Sequence, residues 1–313
     1  MENITAATPL RQPIVFELEG FYVPPGYSSV LFVLALLNYI VTLLGNGVVA
    51  CVIVIDKTLH RPMFIMLCNL VACDLLGATA VLPRLMMHFL TGQKKIAYGA
   101  ALAQAFSVHM YGVAVQTILG AMAYDRYVAI CNPLRYAAIM TNKMVIKLTV
   151  SAWGVAIILV GILLGLTIRL NRCRTMIMNP YCDNASLFKL SCDSVFINNV
   201  YGLTFTVVLL TSSIGTMVLT YTKITVVCLT SKNKSLNSKA LKTCSTHLVV
   251  YLIMLISEFI VITLHRFPQY SDYRKLAAIL FVIVPGSLNP IIYGSLSRGN
   301  NTCSQKVVGT FFQ

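Results

Sequence analysis

Acidic residues are scarce in this chain. Ten aspartates and glutamates face 24 lysines and arginines among 313 residues, and the four types together make up only 11% of it, less than half the roughly 25% of soluble domains. With 57% hydrophobic residues, such sparse charge excludes an ordinary water-soluble enzyme and also a disordered chain, whose composition is the reverse. Glycine lacks a three-residue period, which excludes collagen, and ten cysteines spread over this length do not form a small disulfide scaffold. No glycine-rich phosphate loop opens a helix, and His88, His109 and the cysteines lack metal-ligand spacing. No enzyme activity, cofactor or metal is therefore expected. The net charge of +14 would suggest nucleic acid in a soluble chain. In a membrane protein it first asks on which side of the bilayer the basic residues lie, and no nucleic-acid partner is expected.

The few charges divide the chain. Uncharged or nearly uncharged stretches run from Glu19 to Asp56, Arg61 to Arg84, Lys95 to Asp125, Lys147 to Arg169, Asp193 to Lys223, Lys242 to Arg266 and Lys275 to Arg298. Each exceeds the roughly 20 residues a helix needs to cross a hydrocarbon core of about 30 Å. Barrel strands would alternate over about ten residues instead, and lipid cannot satisfy an open backbone. The expectation is an all-α membrane protein, a seven-transmembrane helix bundle. Residues 1–27 form an N-terminal extracellular segment, 28–297 the bundle and 298–313 a short cytoplasmic tail. Asp74 interrupts the second span and Glu258 the sixth. Charge is costly at membrane depth, so both are functional candidates.

Orientation rests on weaker marks. No removable signal peptide is visible in the first 27 residues, so the first span serves as the insertion signal. The glycosylation triplets at Asn3 and Asn184 fall on one side of a seven-span chain, which puts the N-terminus outside and the C-terminus in the cytoplasm. Triplets at Asn233 and Asn300 fall on the other side, and the basic residues divide 13 to 11, a margin too small to arbitrate. Lys232, Lys234, Lys239 and Lys242 make an acid-free surface between the fifth and sixth spans. It reads either as a site for acidic lipid or protein, or as a topogenic signal alone. The loop after the fourth span, about 25 residues, is too long for a simple connection. It carries Cys173, Cys182 and Cys192, of which one pair should bridge in an oxidising exterior, leaving one thiol over. The other cysteines read as packing residues, with Cys303 a candidate for lipid attachment.

At the end of the third span, Met122-Ala123-Tyr124-Asp125-Arg126-Tyr127-Val128-Ala129-Ile130-Cys131-Asn132-Pro133-Leu134-Arg135-Tyr136 resembles the signature of odorant receptors, within the rhodopsin-like (class A) G-protein-coupled receptors. Gly45-Asn46, Pro62-Met63-Phe64, Asn69-Leu70, Asp74 and Trp153 support the resemblance. So do Lys239 to Leu248 at the base of helix six, and Pro285 with Leu288 to Tyr293 in helix seven. It covers roughly residues 25 to 300 and implies a plasma-membrane receptor that binds a small-molecule odorant and activates a heterotrimeric G protein of the olfactory type, raising cAMP. Arg126 beside Asp125 is a charge pair that can be made or broken, its fork suited to backbone carbonyls of an inserted helix. The family implies that Arg126, within Asp125-Arg126-Tyr127, faces the G-protein cavity when helix six swings outward, with Tyr221 and Tyr293 bracing the open state. His247 either bonds to that cluster or is a satisfied core histidine. Asn46 and Asn289 would converge on Asp74 in a sodium- or water-filled switch site, with Pro290 supplying a kink. The family's usual glutamate facing that site is Val115 here, which argues against tight sodium binding.

The resemblance also implies a disulfide between the top of helix three and the long loop, but the expected cysteine is Ala101. Cys182 becomes the unpaired thiol, Cys173 and Cys192 take the family's other loop bridge, and a more mobile loop is expected. Val108, His109, Gly112 and Val113 on helix three and Tyr251, Leu255, Glu258 and Ile262 on helix six recur at helical steps, and the resemblance implies a ligand cavity between these two faces and helix five. For most of these, helix packing is the competing reading. Glu258 should point inward, to a polar or amine-bearing ligand, to water or to His109. Leu255 stands where the family commonly has an aromatic residue. An opsin is excluded because helix seven has no lysine between Lys275 and Arg298. A transporter or channel is the alternative from another class, but no internal repeat is found.

Overall fold

The computed structural model describes residues 15–24, 26–230, 234–264 and 267–297, without the side chains of 234–243, 268 and 291–297. Seven long helices form the bundle: helix one Ser28–Ile55, two Pro62–Thr91, three Tyr98–Cys131, four Asn142–Ile168, five Phe196–Thr230, six Lys234–Leu264 and seven Ser271–Ser297. The first six contain stretches long and apolar enough to cross a membrane. Helix seven, 27 residues long, packs on helices one, two and six. Burial is the reverse of that in a soluble protein. Helix one points Val33, Leu34, Leu37, Val41 and Leu44 outward, while Asn46, Asp74, Gln116 and Asp125 are buried in the interior, as expected when the surroundings are lipid.

Helix three is the central rod and contacts helices two, four, five and six. Local signals set several helix ends. Pro62 opens helix two, where its missing N–H is not needed, and Gly92 closes it in the left-handed conformation at φ 68°. Thr141 caps helix four by accepting from the Met144 N–H at 3.3 Å. One element departs from the all-helical expectation. Val15–Leu18, in the segment read as merely N-terminal, forms strand β1 of a three-stranded sheet ordered β2-β1-β3. It pairs antiparallel with β2, Lys95–Ala97, and parallel with β3, Met176–Ile177. Alternation explains the strand: Phe16 and Leu18 are buried while Val15 and Glu17 face out. The sheet ties Val15–Leu18 to the two loops that carry β2 and β3, at the loop end of the bundle. The opposite end carries Asp125-Arg126.

Candidate functional site

Below the long loop, between helices three, five and six, lies a cavity of about 300 Å³. Val108, His109, Gly112, Val113, Glu258 and Ile262 line it, but Tyr251 and Leu255 do not. The cavity is closed under Glu258 by a polar cluster, and the helix-six stripe continues past that floor into packing. Tyr251 is buried in the cluster itself and Leu255 packs on the core. Helix five supplies lining residues that the sequence reading missed, Asn199, Gly202, Leu203 and Thr206, although their three- and four-residue steps were visible. Tyr181, Asp183 and Asn184 of the loop and Phe281 of helix seven also line it. No local pattern announces these, because they arrive through tertiary folding.

The floor joins three helices. Gln116 Nε2 donates to Glu258 Oε2 at 2.8 Å, and Ser213 Oγ donates to Gln116 Oε1 at 2.7 Å. The same Ser213 oxygen lies 3.1 Å from the Tyr251 hydroxyl. Helices three, five and six are thus stitched by side chains around one carboxylate. The expected alternative pair of Glu258 with His109 is not formed. His109 Nε2 instead accepts the Asn184 N–H at 3.0 Å, because the loop folds down to meet it.

That loop forms the cavity roof. Cys173 and Cys192 are joined in a disulfide, and Cys182 is a free, fully buried thiol. Burial, then the neighbouring Asp183, pushes its pKa up to about 12 despite the opposing pull of Arg84. Asp183 caps the short helix Asn184–Phe188 by accepting from the Ser186 N–H at 2.6 Å. Asn184, expected to carry a glycan, instead has a buried side chain whose Oδ1 accepts from Thr167 Oγ at 2.6 Å. Asn3 lies outside the described residues. The loop, expected to be more mobile for want of the helix-three cysteine, is anchored on helix three by a hydrogen bond. Gln104, one turn after Ala101, accepts the Cys182 N–H at 2.7 Å through Oε1 and donates from Nε2 to the Ala80 carbonyl at 2.8 Å.

Deeper in the bundle, helix prolines explain the polar core. Pro290 has no N–H for the Gly286 carbonyl four residues earlier, and Asn46 Nδ2 donates to that carbonyl at 2.9 Å. Pro285 likewise frees the Phe281 carbonyl, which lies 3.4 Å from the Tyr111 hydroxyl that donates to it. Asn289 reaches Asp74 as expected, Nδ2 to Oδ2 at 2.8 Å. Asn46 does not converge on Asp74, because the freed carbonyl takes its amide. No group of three or more metal-ligating side chains occurs among the described residues. Trp153 Nε1 donates to Asn69 Oδ1 at 2.9 Å, so two of the motif residues meet across helices two and four.

At the other end Arg126 forms an ion pair with Asp125, whose second oxygen accepts from the Tyr136 hydroxyl at 2.8 Å. Burial and the Asp125 charge raise the pKa of Tyr136, which keeps that donor protonated. Tyr221 and His247, joining helices five and six, are hydrogen-bonded to each other, so His247 is a partnered core histidine. Lys223 lies over the Tyr127 ring, 5.5 Å from its centroid. The Tyr293 side chain, Cys303 and the tail lie outside the described residues, as do the side chains of Lys232, Lys234, Lys239 and Lys242.

A family profile described as olfactory receptor matches residues 34–309. The chain belongs to the olfactory receptor family. Among human relatives, olfactory receptor 13H1 is 31% identical over 98% of both chains. Olfactory receptor 52J3 is 36% identical over 82% of this chain and 83% of its own. Squid rhodopsin shares the fold, with a TM-score of 0.71 at 14% identity over 94% of this chain and 83% of that one. This olfactory receptor is a multi-pass plasma-membrane protein with the rhodopsin fold, and it is not an enzyme. Where the sequence lacks a helix-three cysteine, the receptor holds Cys182 through its backbone N–H, using Gln104 in place of a covalent bond.

Proposed function

We propose that this olfactory receptor couples binding of a small odorant in the cavity to activation of an olfactory-type heterotrimeric G protein and the cAMP pathway, through outward movement of helix six. The domain is residues 28–297, oriented with its loop end outside, consistent with the disulfide there. The ligand carries a polar or cationic head, an amine above all, and an apolar body. The carrying observation is Glu258: it lines the cavity, and among the described residues its only side-chain partner is the neutral amide of Gln116. A protonated amine would supply the missing countercharge. Val113, Leu209, Val261 and Phe281 offer apolar surface to the rest of the molecule.

Movement follows from differential affinity. A ligand that binds better when helices three, five and six rearrange shifts the population toward that arrangement. A cation on Glu258 competes with Gln116 and so loosens the stitch among these helices. At the far end, separation of Tyr221 from His247 and of Arg126 from Asp125 opens room for the G protein. A cAMP reporter with an odorant panel tests the reading. Glu258→Gln at normal surface expression should lower the potency of amine agonists about tenfold or more, as loss of a charge-assisted contact does. Unchanged potency would reject the role of Glu258, and ligand-evoked current without G-protein dependence would reject the coupling.

A further inference from the structure

A second recess lies on the lipid-facing side of the bundle, between helices two and three at the loop end. It is a groove of about 540 Å³. Mostly apolar and small side chains make its walls, Leu76, Pro83 and Met87 from helix two and Ala100 and Ala103 from helix three, with the hydroxyls of Thr79 and Ser107, and Arg84 stands among them. Arg84 is seven residues from the end of helix two at Thr91, so its Cα lies roughly 10 Å below that end at 1.5 Å per residue. A guanidinium at this depth ordinarily pairs with a carboxylate or reaches water. Here one of its terminal nitrogens donates to the Lys95 backbone carbonyl, its Nε–H is buried without an acceptor, and no described carboxylate forms an ion pair with it.

We propose that this groove is a binding site for a single-chain anionic amphiphile, a long-chain carboxylate whose head pairs with Arg84 and whose tail lies along Ala100, Ala103 and Leu76. Charge complementarity selects the head, because the planar fork of an arginine matches a carboxylate and the site offers one cation. A phospholipid is the poorer fit. Of the polar side chains facing the groove, Gln104 has its oxygen engaged by Cys182 and one amide N–H by Ala80, and Thr79 is engaged by Tyr39, so Arg84 is the one charged donor the groove's lining offers a head group. The small side chains leave a channel suited to a lone acyl chain. Occupancy bears on the receptor through that same Gln104: it lines the groove and also anchors Cys182, beside the loop residues Tyr181 and Asp183 that wall the odorant cavity. An occupied groove therefore steadies the loop end. This site is separate from the odorant cavity, and its binding is read without any signalling response.

The test uses the full receptor in nanodiscs of dioleoylphosphatidylcholine, titrated with oleate, with oleyl alcohol as the uncharged control, and with dioleoylphosphatidylglycerol as the phosphate-bearing one. Bound lipid is counted by native mass spectrometry and the unfolding midpoint is followed in parallel. Oleate should bind saturably and raise the midpoint, and oleyl alcohol should do neither. Arg84→Gln should weaken oleate binding about tenfold or more, and Arg84→Lys should retain part of it. Ala103→Phe, on an exposed position that tolerates bulk, should block the groove and gives the answer if the arginine variant does not fold. Equal binding of oleyl alcohol, undiminished binding in the folded variants, or saturable binding of phosphatidylglycerol in place of oleate would overturn the assignment.

Discussion

Gln104→Met separates hydrogen bonding from packing at the loop anchor, since methionine is of similar length and carries neither polar group. The substitution strips a partner from the Cys182 N–H, which is fully buried, and from the Ala80 carbonyl at the groove wall. An unsatisfied buried group costs about 1–3 kcal/mol. The Ala80 carbonyl, inside helix two, keeps its ladder donor four residues on, so the cost falls on the Cys182 N–H and about 2 kcal/mol is expected. At roughly 2 °C per kcal/mol for a large domain, the midpoint of the detergent-solubilised receptor should fall by about 4 °C, read by a scanning fluorescence assay. Adding Ala101→Cys should recover most of the loss, because position 101 is one turn from Gln104 and a bridge to Cys182 would typically contribute about 2–4 kcal/mol. A midpoint within about 1 °C of the parent would refute the view that the amide replaces the bridge, as would failure of the double variant to form a disulfide on a non-reducing peptide map.

Gly77→Ala should destabilise by about 1–3 kcal/mol, because the added Cβ would stand 2.9 Å from the Tyr111 ring; surface expression and thermal midpoint check it. Asn46→Ala should cost about 1–3 kcal/mol by leaving the Gly286 carbonyl unpaired, and the cost should shrink in a Pro290→Ala background, where the helix supplies its own donor to that carbonyl. Cys182 should resist iodoacetamide at pH 8 in the folded receptor and react once it is denatured. With its pKa raised to about 12, its contribution to stability is full below the thiol's ordinary pKa and is lost as the pH rises toward 12. Labelling at pH 8 at the denatured rate would contradict that burial.

The bundle was legible because charge is forbidden where lipid is the solvent, and so the positions of Asp56, Arg61 and the other boundary charges marked the spans directly. Asp74 was legible for the same reason, as a carboxylate inside an apolar span, whereas its partner Asn289 and the Asp125-Arg126 pair were legible through the resemblance to odorant receptors. What stayed hidden depended on long-range closure. Strand β1 is four residues long and finds partners near 96 and 176, which no local pattern specifies. The Asn184 triplet reads as a surface site in any loop, yet this loop turns inward and spends the amide on Thr167. Helical spacing grouped Tyr251, Leu255, Glu258 and Ile262 on one stripe of helix six, but it could not say that Gln116 closes the cavity at Glu258 and leaves Tyr251 and Leu255 outside its lining.

The expectation that Asn46 meets Asp74 fails for a reason that bears on how helix seven can move. A proline in a helix leaves one carbonyl without its donor, and a buried orphan of this kind must be satisfied from outside the helix. Pro285 and Pro290 create two, and helices three and one answer with Tyr111 and Asn46. Each proline site is thereby tied to a neighbour through a side-chain hydrogen bond, which is worth about 0.5–1.5 kcal/mol net, instead of through the helix's own ladder. Gly45 lets helix one approach closely enough for this, since a Cβ there would sit 3.1 Å from Pro290. Helix seven is therefore jointed at two places by bonds of low net strength. The Asn289 contact to Asp74 sits at the second joint, so any rearrangement there must change the surroundings of the buried carboxylate.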